Sequence, residues 1–348
     1  MRAAWWAIFC TKTPCFFLFF SLPARPYWAL GFGATRGPQT GPPVFMVILT
    51  KDFDGFGNQL LLASHFIANA AEYGYELVMP NFAPYAHYFE GTAREDFSGL
   101  PISLRPSPWD ITRLVHRGLQ TRRGYAILSR LPWVQHRLGL QLLGDEGDEG
   151  QNLNDPAYLA KARNGRLLIH GWLFRDKEHF AKHGPLLRRI FRPVAQHQQA
   201  VERVLTTNRA HADVLVGVHI RRGDYAGWLG GALLYDNATY ARAMREVRAQ
   251  FPAHTRVRFL LFSNEPIPAA DFAGFDFGTS TNHPVEDLYA MAGCDYIIGP
   301  LSTYSMWASF YGEVPLFHLH RPNQAVPALS DFVVFKDQKT NQWEMSLT

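Results

Sequence analysis

At 348 residues the chain is long enough to divide into two domains, each burying its own core. Its 47% hydrophobic, 14% aromatic and 18% charged residues lie near globular averages and exclude both a disordered chain and a multi-span membrane protein. The formal charge of +4 is small and its basic side is mostly arginine, with lysine only at Lys12, Lys51, Lys161, Lys177, Lys182, Lys336 and Lys339; nucleic acid is not implied, and the excess suits an anionic substrate as well as it suits a merely arginine-rich composition.

Residues 1–45 read differently from the rest. Trp5–Phe9 and Phe16–Leu22 are apolar, but Thr11-Lys12-Thr13-Pro14 interrupts them, and a Pro/Gly-rich run continues to Pro43. No apolar piece reaches the roughly 20 residues of a membrane-spanning helix. The extension reads as a start assigned upstream of Met46, as a signal or anchor opened by Arg2, or as a disordered tail. Localisation follows that choice: cytoplasmic, or peripheral at a membrane.

From Val44 the pattern becomes regular. Val44–Thr50 is a short apolar run leaving into Asp52–Gly57, as a buried strand does when it enters a glycine turn. Asn58 is the expected opening or cap of a helix over Gln59–Tyr73, stopped by Gly74, and Glu76–Met79 begins a second strand. Residues 80–213 are rich in aromatics and arginine without clear periodicity, apart from a strand at Leu167–Ile169. Gly144–Gln151 is an exposed acidic loop lacking the remaining ligands of an EF-hand.

A second series follows: strand Val214–Ile220, helix Ala238–Gln250 capped by Asn237, strand Arg258–Ser263, helix Val285–Ala292, strand Tyr296–Gly299, a helix from about Thr303, and strand Pro315–Leu319. Alternating strands and helices require a mostly parallel sheet. The expectation is an α/β protein of two Rossmann-like lobes, residues 46–205 and 206–348, with the active site outside the carboxyl ends of their strands.

The chemistry collects at those strand ends. His219-Ile220-Arg221-Arg222-Gly223-Asp224 closes a buried strand with two arginines. A guanidinium is costly to bury without a partner, yet at a sheet mouth it binds a diphosphate bidentately. Arg221 is the first candidate; the plain alternative is that both arginines pair with Asp224 or other acids. Asp54-Gly55-Phe56-Gly57-Asn58-Gln59 enters a helix whose free amides favour an anion or an acceptor oxygen, and it matches neither GxGxxG nor GxxxxGK[ST]. Ser302, Thr303 and Ser305 follow a third strand, and Asn264 a fourth. Three cysteines, Cys10, Cys15 and Cys294, form no disulfide framework or CxxC pair, which suits a reducing compartment. The fourteen histidines show no HExxH or His/Cys cluster, so no metal is expected. The Asn237-Ala238-Thr239 sequon has meaning only in a secretory pathway.

The order GFGNQ, HIRRGDY, FSN and DLYAMAGCDYIIGPLSTYSMWA resembles the α-1,2-fucosyltransferases of glycosyltransferase family 11, over about Met46 to Leu319. Ile169–Phe174 and Asp176–Phe180 are similar to a segment ahead of that family's arginine motif. The resemblance implies a GT-B fold, GDP-fucose as donor, a glycan hydroxyl as acceptor, inversion, and no metal or other cofactor. It puts Arg221 on the β-phosphate and His219, Arg222, Asn264, Asp287, Ser302, Thr303 and Ser305 around the donor. Gly55, Gly57, Asn58 and Gln59 fall on the acceptor side, and Asp224 is the candidate base. Pro300-Leu301, Tyr304 and Met306 depart from the family's usual third motif, which leaves open another linkage, another nucleotide-sugar donor, or a non-catalytic nucleotide- or glycan-binding protein.

Overall fold

The structure is a computed structural model that describes residues 45–50, 55–105, 122–144, 151–176, 178–280 and 283–336. The N-terminal extension to residue 44, Asp54 and the acidic stretch 145–150 lie outside the described residues.

The first sheet is built from β1 (Met46–Leu49), β2 (Glu76–Val78), β3 (Ile102–Ser103), β4 (Leu140–Gly144) and β6 (Arg166–His170), in the order β3-β2-β1-β6-β4. Every pairing in it is parallel. Two short strands, β5 (Gln151–Asn152) and β7 (Phe174–Arg175), form a separate parallel pair. The second sheet comprises β8 (Val214–Ile220), β9 (Val257–Ser263), β10 (Phe277–Thr279), β11 (Tyr296–Pro300) and β12 (Leu316–Leu319), in the order β10-β9-β8-β11-β12, again all parallel. Both faces of such sheets are covered, so their strands are apolar runs rather than alternating ones. β1 is buried at all four positions and β8 at six of seven.

Five helices position the site: α1 (Phe56–Tyr73), α2 (Ala195–Arg209), α3 (Asn237–Arg248), α4 (Pro284–Met291) and α5 (Thr303–Gly312). The start of α1 corrects the expected boundary. Gly55 precedes the helix without a side-chain bond, and Asn58 sits inside the first turn and is not its cap. Gly74 closes the helix in the left-handed region as expected, at φ 72°. For α3 the cap is Asp236, whose carboxylate accepts from the Thr239 amide at 2.8 Å, while Asn237 becomes the first helical residue. Asp outranks no neighbour by type here; its extended backbone directs Oδ1 onto the free amide.

An aromatic seam runs from the first half of the chain to the second. Phe82, Phe89 and Phe191 pack on one another, Phe191 meets Trp307 edge-on at 5.3 Å, and Phe180 lies 4.4 Å from Phe310. One hydrophobic cluster therefore includes residues of both sheets. Arg188 extends the seam by donating to the Phe310 and Tyr311 carbonyls at the end of α5, satisfying acceptors that a helix end leaves open. Among the described residues no helix is long and apolar enough to cross a membrane.

Candidate active site

In the second sheet the strand order turns between β8 and β11, the place where an open α/β sheet leaves a crevice at its carboxyl edge. There β8 gives out at Ile220. Gly223 takes φ +65°, and a Cβ on it would lie 2.9 Å from Asn264 Nδ2, so glycine permits both the turn and the close approach. Asn264, following β9, accepts the Arg222 amide at 2.9 Å and ties the two strand ends together.

The two arginines diverge. Arg221 pairs with Asp224 at 2.7 Å and lies 5.3 Å over the Tyr225 ring, its side chain still 30% exposed. Tyr225 in turn donates to the Leu301 carbonyl at 2.6 Å, which fixes this turn to the exit of β11. Arg222 bonds instead to the Tyr235 carbonyl and Asn237 Oδ1 and lies 5.7 Å over Tyr240. Its guanidinium holds the start of α3, and beside it a cavity of about 420 Å³ opens between Gly223, Leu234, Asp236 and Glu265.

His219 lies beneath this turn, 5% exposed, with its ring 5.3 Å from that of Tyr304. Burial, then the charge of Arg221 and the nearby His318, lower its pKa to about 3, so the ring is neutral. Gly299 faces it so closely that a Cβ there would sit 2.8 Å from His219 Cβ. Asp287 is buried in α4.

All three hydroxyls after β11 make protein bonds. Ser302 caps α5 by accepting from the Tyr304 amide at 3.3 Å. Ser305, fully buried, donates to the Ser302 carbonyl at 3.0 Å, with His318 Nε2 at 3.4 Å. Thr303 donates to Asn58 Oδ1 at 2.8 Å. That last bond brings the glycine loop of the first half to the hydroxyl turn of the second. In the same loop Gly55 is exposed at φ +97°, Gly57 is buried, and Gln59 accepts from Asn81 Nδ2 at 2.9 Å beneath the surface. Tyr304 donates to the Pro284 carbonyl at 2.5 Å, and Met306 and Trp307 are core residues. The departures at Tyr304 and Met306 thus fall largely on packing.

Two groups escaped sequence reasoning. His197, His283 and Glu286 come together with one ligand-type atom each within 4.8 Å, although 86 residues separate the two histidines. His197 Nδ1 bonds Glu286 at 3.0 Å and His283 Nδ1 accepts the Val285 amide at 3.3 Å at the start of α4. Asp176, fully buried, accepts from Asn69 at 2.8 Å, Asn154 at 2.9 Å and the Glu178 and His179 amides. Burial would raise its carboxyl, but these bonds outweigh burial and hold it below the ordinary range. Only the Asp176–Phe180 segment was visible beforehand.

The family model described as Glycosyl transferase family 11 matches residues 169–326, a span containing β8 to β12 and both arginines. Over that span the chain is similar to glycosyl transferase family 11. Galactoside alpha-(1,2)-fucosyltransferase 2 of Rattus norvegicus is 28% identical over 160 residues, 42% of each chain; the chain thus spans less than half the length of the curated relative it matches. Two solved structures share the fold. A mutant of FUT1 from Arabidopsis thaliana in complex with GDP superposes with a TM-score of 0.52 at 15% identity, covering 83% of this chain and 73% of that one. The fucosyltransferase NodZ from Bradyrhizobium gives 0.50 at 16%, covering 78% and 94%. The chain, the matched span included, therefore has a GT-B-type α/β fold with parallel sheets.

Proposed function

We propose that the protein transfers L-fucose from GDP-fucose to a hydroxyl of a glycan, with inversion, without a metal or other cofactor, and onto a galactoside in α-1,2 linkage. The observation that carries this reading is Arg221. It ends a buried strand at the turn of the sheet, is held by Asp224 and Tyr225, and keeps its guanidinium partly open, within the family 11 span. The rat relative's name supplies the galactoside and the linkage.

GDP is already a good leaving group, so the barrier falls mainly through alignment and through a positive charge set in advance where the diphosphate gains negative charge. Arg221 supplies that charge. Amides at the start of α5 add to it through the helix dipole. The acceptor hydroxyl attacks the anomeric carbon from the opposite side and loses its proton to a weak base, for which Asp224 is the candidate. In the free protein its carboxylate holds Arg221, which makes positioning of the guanidinium its first role.

GDP release from GDP-fucose in EDTA, with and without β-galactosides, tests the reading. Arg221→Ala is expected to lower acceptor-stimulated release by about 10²–10³-fold, the cost of removing one preset transition-state donor. Release from a different sugar nucleotide only would replace the donor. Near-normal turnover by Asp224→Asn would remove it as the base.

A further inference from the structure

The first turns of α1 and α5 touch. A Cβ at Gly57 would lie 2.8 Å from Thr303 Oγ1 and 2.8 Å from the Tyr304 amide nitrogen, so only glycine lets the helices meet at this distance. One residue on, Asn58 Oδ1 accepts the Thr303 hydroxyl proton at 2.8 Å across 245 residues of chain. Thr303 is the first residue of α5, directly after the Ser302 cap. A hydroxyl has a single proton to give, and Thr303 gives it to the other sheet's helix.

We propose that Asn58 is a positioning residue for the transfer, acting through Thr303. By fixing the Thr303 hydroxyl it sets the first turn of α5, and with it the amides that face the departing diphosphate. This rests on the reading of the cleft as a donor and acceptor site. The helix start beside the acceptor then also shapes the donor side, and a change at one is felt at the other.

Amide hydrogen exchange over residues 299–308 of the ligand-free full chain tests the contact. Asn58→Ala and Thr303→Val are expected to speed exchange in the first turn of α5 severalfold, the effect of one lost hydrogen bond. Asn58→Asp and Thr303→Ser, which keep acceptor and donor, retain protection. In the turnover assay Asn58→Ala lowers kcat about tenfold while the donor KM moves less than about threefold. Because both residues act through one bond, the double variant Asn58→Ala/Thr303→Val is no worse than the poorer single variant. Unchanged exchange in Asn58→Ala, or losses that multiply in the double variant, overturns the proposal. If Asn58→Ala does not fold, Thr303→Val against Thr303→Ser decides by the same readouts. A wild type that binds GDP but turns over no GDP-fucose sinks the fucosyl reading alone, since the exchange measurement still decides the contact.

Discussion

In each sheet the first strand of its series lies at the centre; α1 is the first helix after β1, and α5 follows β11, the neighbour of β8. The exits are furnished differently. β8 and β9 are seven residues each and pair along their whole length, and β8 leaves into Arg221, Arg222 and Asp224. β1 is four residues long, and Phe56 at the start of α1 has its ring 5.3 Å from that of Tyr85 and 6.0 Å from that of Tyr88. Among the described residues, arginine collects at the exit of β8 and aromatic rings at the start of α1, while Lys51, Asp52, Phe53 and Asp54, which follow β1 in the sequence, lie outside the described residues. For the proposed transfer, a guanidinium suits a diphosphate and a ring face suits a sugar.

Four measurements sharpen that contrast. The largest expected effect is at the seam where the halves join: Trp307→Ala removes a fully buried ring between Phe191 and Phe310 and should cost about 3–5 kcal/mol in denaturant unfolding. If the halves unfolded in separate transitions in the wild type, the single shared core would be wrong. Gly57→Ala forces its Cβ against Thr303 and the Tyr304 backbone, with an expected loss of about 1–3 kcal/mol and a fall in turnover beyond what stability explains.

The third measurement concerns acid. His219 and His318 are buried with pKa values lowered to about 3, by burial first. Unfolded histidine titrates near 6.5, so below that pH the unfolded chain binds protons that the folded chain refuses. Stability is therefore complete above pH 6.5 and declines as pH falls toward 3. Asp213, held at about 2 by its hydrogen bond with Arg256, adds its own loss only below its unfolded value of 3.8. Between pH 6.5 and 4, His219→Asn should flatten the slope of stability against pH by about one proton. The smallest effect is at α3, where Asp236→Ala removes a cap at a cost of about 1 kcal/mol in thermal unfolding.

The second half was largely legible because most of its strands are apolar and bounded by glycine or by helix starts; β8 fell on the expected residues, β9, β11 and β12 each shifted by one residue at an end, and the three-residue β10 was not foreseen. The first half was less so. β3 has two residues and β4 lies among arginine and aromatic residues, too little for a period to register, and both owe their place to neighbouring strands. At the site, residue types at strand ends were readable, whereas their partners were not. Nothing local distinguishes Arg221, which stays partly open, from Arg222, which turns to Tyr235 and Asn237. Nor does spacing reveal that Asn58 meets Thr303, because that bond depends on two sheets having already formed.

The central place of β1 also bears on how the chain is made. Its partner β2 follows within 30 residues, but its other partner is β6, and the Thr50 hydroxyl beyond β1 closes on the Ile169 carbonyl 119 residues later. On a ribosome delivering the chain from its amino end, Met46–Leu49 emerges as a strand with one edge bare until His170 has been synthesised. A bare apolar edge invites pairing with other chains, so this half passes through its most aggregation-prone interval during translation, and slower synthesis across residues 80–165 lengthens it.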